Sequence, residues 1–506
     1  MRYWTGIAIL LCLVACRGGD ALATARDSVA QRLGGRKQIL TTVASPGLQE
    51  LRANKTLKLP EPTSFGYLEV NPEKGSEMFY MYYEAQEPIK SDKPTPIVLW
   101  LQGGPGCSSF FGMLYINGPY FVNDDLTLRP NPGSWNRLYG MLFIEQPIGV
   151  GFSRPGTASI PDNELDVAWD LYRALQSFYR THPQLASRPL VVTGESYAGK
   201  YVPSIAHFIL QADARANGYE GQLSHPRQLS PRVESPLFTL GGLAVGNGFT
   251  DAETQTAVQA EVAWGMGLID STQRRQAEIM QEQIIELVRS REWRAARMRS
   301  DELLRFIAGA SGSATLEDVR RNTGYDSRDQ SDAFLNQPHV RHMLTAGAGV
   351  PPPREYNWSS CDPQVDLVLG HDVMKSVKHL VADLLKYKPV LLYQGQWDAE
   401  CGVGSNDAWI RTLKWAGHGG FTAAPRSFWR VNGRIAGYWK SHDTLDVLVL
   451  RNTGHMVPHD NPLIGQLMLE RWVETAVRGL SYDRDAHVTP QQEAEYGNPD
   501  VGEHST

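Results

Sequence analysis

An α/β fold, with a mostly parallel central sheet flanked by helices and interrupted by an inserted helical cap, is predicted by three observations. Short apolar runs recur along the 506-residue chain at Pro96 to Leu101 (PIVLWL), Met141 to Glu145 (MLFIE), Leu190 to Thr193 (LVVT), Leu237 to Val245, Val390 to Tyr393 (VLLY) and Val447 to Leu450 (VLVL). Runs of this kind, apolar on both faces, mark strands buried inside a parallel sheet. Amphipathic stretches of helix length lie between several of them, as at Glu164 to Tyr179, which follows Pro161 and Asp162 as start signals. Residues 251–353 are instead rich in Gln, Arg and Glu, helical in period and lacking in apolar strand runs. Alternating strands and helices predict βαβ units, and the polar helical region reads as a lid over the sheet.

This divides the chain into a leader at 1–23, a first core part at 24–250, the cap at 251–353, a second core part at 354–482 and a flexible tail at 483–506. The leader has Arg2, an apolar run from Gly6 to Ala15, and small residues ending at Ala21, Leu22 and Ala23, so the mature chain is expected to begin near Thr24. Retention as a membrane anchor is the alternative, but crossing roughly 30 Å of hydrocarbon takes about 20 apolar residues. Leu13, Val14, Ala15 and Cys16 also match a lipoprotein cleavage box, which would make Cys16 a lipid-bearing terminus. Within the cap, the charged stretch from Arg274 to Arg305 is read as a solvated helix face.

Export implies an oxidising compartment, in which Cys107, Cys361 and Cys401 remain after the leader is removed; with an odd number, at least one is free. Asn54 with Thr56 and Asn357 with Ser359 form glycosylation acceptors. The hydrophobic content of 42% and charged content of 21% are those of a globular chain. A net charge of −6, with no basic run carrying interleaved aromatics, argues against nucleic acid as a partner. The His and Cys residues lack the paired spacings of a zinc site, so neither metal nor cofactor is expected.

Chemistry concentrates after the strand at Leu190 to Thr193, where LVVTGESYAGKY puts Ser196 between a strand and a helix start with Gly194, Ala198 and Gly199 around it. A nucleophile elbow needs small residues two positions either side of its Ser, because the turn is sharp. Ala198 stands where G-x-S-x-G has its second glycine; the other reading is an ordinary strand-turn-helix junction. A Ser hydroxyl needs a base, and the base needs a carboxylate to fix its tautomer. Asp398 (LLYQGQWDAEC) and His455 (VLVLRNTGHMVPHDNP) both lie just past carboxyl ends of predicted strands, where ligands collect in such sheets. The order Ser, Asp, His is that of α/β-hydrolases, although His459 competes with His455 on the same loop. Backbone amides for an oxyanion hole are assigned to Gly104, in the Gly103 to Gly106 run, and to Tyr197.

These residues resemble the serine carboxypeptidase family. WLQGGPGCSS (Trp100 to Ser109), FIEQPIGVGFS (Phe143 to Ser153), GESYAGKY (Gly194 to Tyr201), GNGFTD (Gly246 to Asp251) and GHMVPHDNP (Gly454 to Pro462) match its signatures in order, from about residue 60 to 480. Gln102, the DVMKS stretch and the GQWD loop look most like its vitellogenic-like branch. The resemblance implies release of C-terminal amino acids from peptides with a free C-terminus, through an acyl-enzyme on Ser196 in an α/β-hydrolase fold.

It further implies that Gln102, Gly103 and Glu195 bind the substrate carboxylate, and that Met456 and Cys401 line the leaving-residue pocket. The resemblance also implies that Cys107 pairs with Cys361, leaving Cys401 free. Two anions in one site raise a carboxyl pKa, so Glu195 is expected to bind substrate best when protonated, under acidic conditions. Gln102 replaces an Asn common in the family and Ile116 a second Glu, changes that bear on carboxylate recognition. Acyltransferase or esterase activity is the alternative, and a protective or binding role in a lysosomal complex is one of another class. Localisation is expected in the secretory pathway, extracellular or in a lysosome or vacuole, without stable membrane insertion; family members are often dimers.

Overall fold

In the computed structural model each of the six apolar runs forms a strand, and together they make the parallel centre of a ten-stranded sheet. The structure describes residues 62–223, 233–325, 328–347, 357–484, 486–490, 492 and 494, all within the unit Pro60–Thr506. The leader, Cys16 and Asn54 lie outside them. In chain order the strands are β1 (Ser64–Asn71), β2 (Ser76–Tyr83), β3 (Ile97–Leu101), β4 (Tyr120–Val122), β5 (Leu128–Pro130), β6 (Gly140–Ile144), β7 (Leu190–Glu195), β8 (Leu240–Gly246), β9 (Val390–Gly395), β10 (Ser427–Val431), β11 (Arg434–His442) and β12 (Leu445–Leu450). Their order across the large sheet is β1-β2-β6-β3-β7-β8-β9-β12-β11-β10.

Antiparallel strands close both edges, β1 and β2 on one side and β11 and β10 on the other. Every residue of β3 and β6 is buried, and full burial of each such aliphatic side chain is worth about 1.5–3 kcal/mol. Helices cover the sheet, among them α1 (Ser109–Tyr115), α2 (Glu164–Thr181) and α3 (Ala198–Ala216). The start of α2 is capped by Asn163, whose side chain accepts from the Leu165 and Asp166 amides, one residue beyond the expected Asp162.

Six helices make up most of the described part of the polar region, α4 (Ala252–Thr256), α5 (Gln259–Gly265), α6 (Ser271–Arg289), α7 (Trp293–Ser311), α8 (Arg328–Leu335) and α9 (Pro338–Gly347), while residues 312–325 between α7 and α8 are not helical. After it, α10 (Pro363–Leu369) opens beside the Cys107–Cys361 disulfide. Glu145, at the end of β6, is fully buried and accepts from Ser108 Oγ at 2.7 Å, Trp358 Nε1 at 2.6 Å and the Phe152 amide at 2.6 Å. It thereby ties the two chain segments that the disulfide joins. Asn357 is exposed.

The tail corrects one expectation. Gln492 is buried and its Nε2 donates to Pro132 O at 2.8 Å and Gln466 Oε1 at 2.6 Å. A polar composition suggested a frayed end, yet one glutamine that satisfies two buried acceptors docks the chain there. No helix among the described residues is long and apolar enough to cross a membrane.

Candidate active site

The turn between β7 and α3 holds Ser196 at a φ of +63°, a left-handed conformation that costs a non-glycine residue on the order of 1–3 kcal/mol. Three backbone hydrogen bonds over-determine it: Ser196 N to Gly246 O at 3.1 Å, and Ser196 O from the Gly199 and Phe249 amides at 2.8 and 2.9 Å. The small neighbours are required by contact. A Cβ on Gly194 would lie 2.7 Å from Ala198 Cβ and 2.4 Å from Leu101 O. This is the elbow geometry that G-E-S-Y-A suggested.

His455 reaches the elbow from the loop after β12 and Asp398 from the loop after β9, two strands that pair in parallel. His455 Nδ1 is 2.7 Å from Asp398 Oδ2, while its Nε2 is buried without a hydrogen-bond partner and the ring shares a cavity of about 320 Å³ with Ser196. Asp398 is held by further donors: Asn247 Nδ2 at 2.7 Å on Oδ2, and the Glu400 and Cys401 amides at 2.7 and 3.0 Å on Oδ1. Asn247 is itself fixed, its Oδ1 accepting from Gly395 N at 2.9 Å. Burial opposes the positive charge on His455, but the Asp398 carboxylate outweighs it and holds the imidazole above the usual histidine range. His459, the competitor, turns away: its ring stacks on Tyr115 at 3.8 Å and Nδ1 lies 3.0 Å from Tyr115 O.

Gly104 and Tyr197 border the same space as Ser196. Gly104 has a φ of +115°, open to glycine alone, and Tyr197 caps the N-terminus of α3, where the helix dipole favours negative charge. Gly103 does not line the cavity. A Cβ there would meet Tyr197 N at 2.6 Å and Ser196 Cβ at 2.8 Å, so only glycine packs this closely under the elbow.

Glu195 is fully buried, and burial pushes its pKa up to about 8. Its Oε1 accepts from Gln102 Nε2 at 3.1 Å, and its Oε2 has no partner. Trp100 Nε1 donates to Gln102 Oε1 at 3.1 Å, which fixes the amide with its nitrogen toward Glu195. The shift needs no second anion, because removal from water alone favours the neutral acid. Ile116 is fully buried and borders neither cavity.

Two cavities meet at Gly104, Ser196 and Glu400. The larger holds Gln102, Glu195, Glu317, His455 and Met456. The smaller, about 110 Å³, is walled by Phe249, Cys401 and, from α7, Arg297, Asp301 and Leu304. Cys401 therefore stands apart from Met456, contrary to the expectation that both line one pocket. Its side chain comes from the Asp398 loop on the side facing α7, whereas Met456 follows His455. Nor is the Arg274 to Arg305 stretch only a solvated face, since α7 turns Arg297 and Asp301 into a cavity. No cluster of metal-ligating residues occurs among the described residues.

Sequence comparison assigns residues 54–475 to the serine carboxypeptidase pattern of peptidase family S10. The chain is 40% identical over 431 residues to "Serine carboxypeptidase-like 50" of Arabidopsis thaliana, covering 85% of this chain and 90% of that protein. It is 32% identical over 413 residues to the "Venom serine carboxypeptidase" of Apis mellifera, covering 78% and 81%. Vitellogenic-like carboxypeptidases also stand among the relatives, including one of Rattus norvegicus that is 30% identical over 420 residues, covering 81% and 82%. Among solved structures, the prohormone-processing carboxypeptidase Kex1 of Saccharomyces cerevisiae superposes with a TM-score of 0.67 at 24% identity, covering 81% of this chain and 90% of that one. That likeness shows the α/β-hydrolase fold.

Proposed function

The chain belongs to the serine carboxypeptidase family and is a serine-type hydrolase acting at peptide C-termini; from that premise we propose that Ser196, Asp398 and His455 are its catalytic triad. One observation carries the assignment: His455 is anchored to Asp398 through Nδ1 and offers an unpaired Nε2 to the cavity that holds the strained Ser196. Nε2 takes the hydroxyl proton as Oγ attacks the scissile carbonyl, and returns it to the leaving amine. The Gly104 and Tyr197 amides receive the oxyanion. An acyl group remains on Ser196 until water, activated by the same imidazole, releases it. The Cys107–Cys361 disulfide fits passage through the secretory pathway.

The exopeptidase requirement comes from Glu195 and Gln102. Gln102 and Glu195 both line the larger cavity, and a protonated Glu195, whose Oε2 has no partner, suits a terminal carboxylate there, which makes that cavity the site of the leaving residue in this reading. A blocked dipeptide with a free C-terminus should therefore be cleaved at least about tenfold faster at pH 5 than its C-terminal amide, the size of one charge-assisted hydrogen bond. The ratio should shrink above pH 8, as Glu195 ionises. Equal cleavage of acid and amide at pH 5 would instead favour the esterase or acyltransferase reading.

The leaving-residue cavity also places Glu317 and Glu400 beside Ser196. Burial raises Glu400 to about 7, and a cationic side chain between the two glutamates would restore its ionised form. The same cation offsets part of the negative field that strengthens the hold of His455 on its proton, to which Glu317 contributes. Peptides ending in Lys or Arg should thus exceed those ending in Leu in kcat/KM, by about fivefold to thirtyfold for a pair worth about 1–2 kcal/mol. Glu317→Gln should remove most of that preference; a Lys-to-Leu ratio unchanged by Glu317→Gln would rule this selection out.

A further inference from the structure

Between α7 and α8, residues 315–325 form neither helix nor strand, although the sequence of the whole region reads as helical in period. In the structure their backbone bonds to both loops of the triad. Leu316 O accepts from Ala399 N at 2.9 Å and Val319 N donates to Trp397 O at 3.1 Å, so the segment pairs with the residues on either side of Asp398. Between those two bonds, Glu317 O accepts from His455 N at 2.7 Å. Gly454 is pressed against the same stretch, since a Cβ there would lie 2.5 Å from Asp318 Cβ and 2.7 Å from Glu317 O.

Side chains extend the contact. Asp460, five residues after His455, accepts from Gly454 N at 2.5 Å. It is held in turn by Tyr325 Oη at 3.2 Å, Arg321 Nη1 at 3.6 Å and Arg320 Nη2 at 3.8 Å. Arg320 is itself locked onto the buried Asp318 through two bonds, at 2.6 and 2.8 Å, and the Arg321 guanidinium lies over the Tyr325 ring at 4.2 Å.

The ends of β9 and β12 are neighbours by strand pairing, but the loops beyond them are fixed only by what they bond to. Outside the Asp398 to His455 contact, Trp397 N to Thr453 O at 2.9 Å joins the two loops directly; the other bonds named here run through 315–325. We propose that residues 315–325 are a brace that keeps Asp398 and His455 in register, with Asp460, Arg320, Arg321 and Tyr325 as positioning residues for hydrolysis. The proposal rests on Ser196, Asp398 and His455 being the reacting groups. Because the brace continues from α7, whose Arg297 and Asp301 line the smaller cavity, one stretch of chain supports both a substrate wall and the base.

The test is an Arg320→Ala/Arg321→Ala double variant of the full chain, assayed on a blocked dipeptide and with a p-nitrophenyl phosphonate. The phosphonate reports Ser196 attack through p-nitrophenolate release and makes no use of the carboxylate site. Loss of register should lower kcat about tenfold to a hundredfold, the scale of a displacement of about 1 Å. KM should stay within about twofold, the phosphonylation rate should fall in step with kcat, and Arg320→Lys/Arg321→Lys should recover most of both. A double alanine variant with full kcat and a lowered melting temperature would reduce the segment to scaffolding and overturn the brace. So would an unchanged phosphonylation rate with a raised KM. Should the double variant fail to fold, Tyr325→Phe decides: it removes one hydroxyl, and a drop of a few fold in both rates is expected, no change in either being the adverse result. Ser196→Ala is run alongside. If it still hydrolyses peptide, the triad reading falls and takes the brace with it, whereas an inert Ser196→Ala beside an unaffected double variant sinks the brace alone.

Discussion

An Asp398→Asn chain should fold and lose about four orders of magnitude in kcat, the scale on which a triad fails when its imidazole is held in the wrong tautomer. The surroundings leave the new amide no choice of orientation. Oδ1 of Asp398 accepts from two backbone amides, those of Glu400 and Cys401, so an Asn at this position must keep its oxygen there and turn its NH2 toward His455. The imidazole then accepts at Nδ1 and carries its proton on Nε2, where a base is needed. The same NH2 also meets Asn247 Nδ2, now 2.7 Å from the carboxylate. Asn247 cannot turn its oxygen to meet it without abandoning Gly395 N. Substitution of Asn247 by Ala removes one donor to a buried charge and should lower kcat about tenfold to a hundredfold, with KM nearly unchanged. Steady-state kinetics on the blocked dipeptide, with circular dichroism to verify folding, checks both. A loss below a hundredfold in Asp398→Asn would mean that another carboxylate orients the base.

Asn247 also shows where reading the chain alone stops. The parallel centre of the sheet was legible because β3, β6, β7, β8, β9 and β12 are continuous apolar runs, a pattern forced by burial on both faces. The four antiparallel edge strands were not. In β10 and β11, exposed Arg430 and Ser441 interleave with buried or half-buried aromatics, and such a mixture does not stand out from loops. The proposed triad was drawn from the rule that functional groups sit at carboxyl ends of parallel strands. Asn247, one residue past β8, obeys the same rule and was recoverable from it. Glu317 and the 315–325 segment were not recoverable, because they act on His455 and Asp398 through backbone atoms, and a carbonyl oxygen leaves no mark in a sequence. Gln102 donates to Glu195, but the indole of Trp100 that orients it sits in a strand whose composition spoke only of burial.

Glu195→Gln should separate recognition from chemistry and reveal itself in two pH dependences. In the native protein, burial holds the carboxyl protonated up to about pH 8, so kcat/KM for free-acid peptides should fall about tenfold per pH unit above that point as an anion comes to face the substrate carboxylate. A glutamine can accept from Gln102 Nε2 and donate to the substrate at every pH, so this alkaline limb should vanish. The limb set by His455 should remain. Stability carries a signature of the same group in a lower pH window. The folded pKa of about 8 lies above the ordinary value of 4.5. Between the two, the folded chain holds a proton that the unfolded chain has released, and stability falls as pH rises. The contribution is intact below about pH 4.5, declines by up to about 1.4 kcal/mol per pH unit, and is exhausted above about pH 8. Glu145 and Glu470, each raised to about 7 by burial, act in the same direction and are untouched by the substitution. Both chains should therefore melt at higher temperature at pH 5 than at pH 8, and the native chain should lose more across that interval. A melting difference between the two proteins that did not vary with pH, together with an alkaline limb retained in the Gln variant, would show that Glu195 is ionised in the folded state and that another group reads the substrate carboxylate.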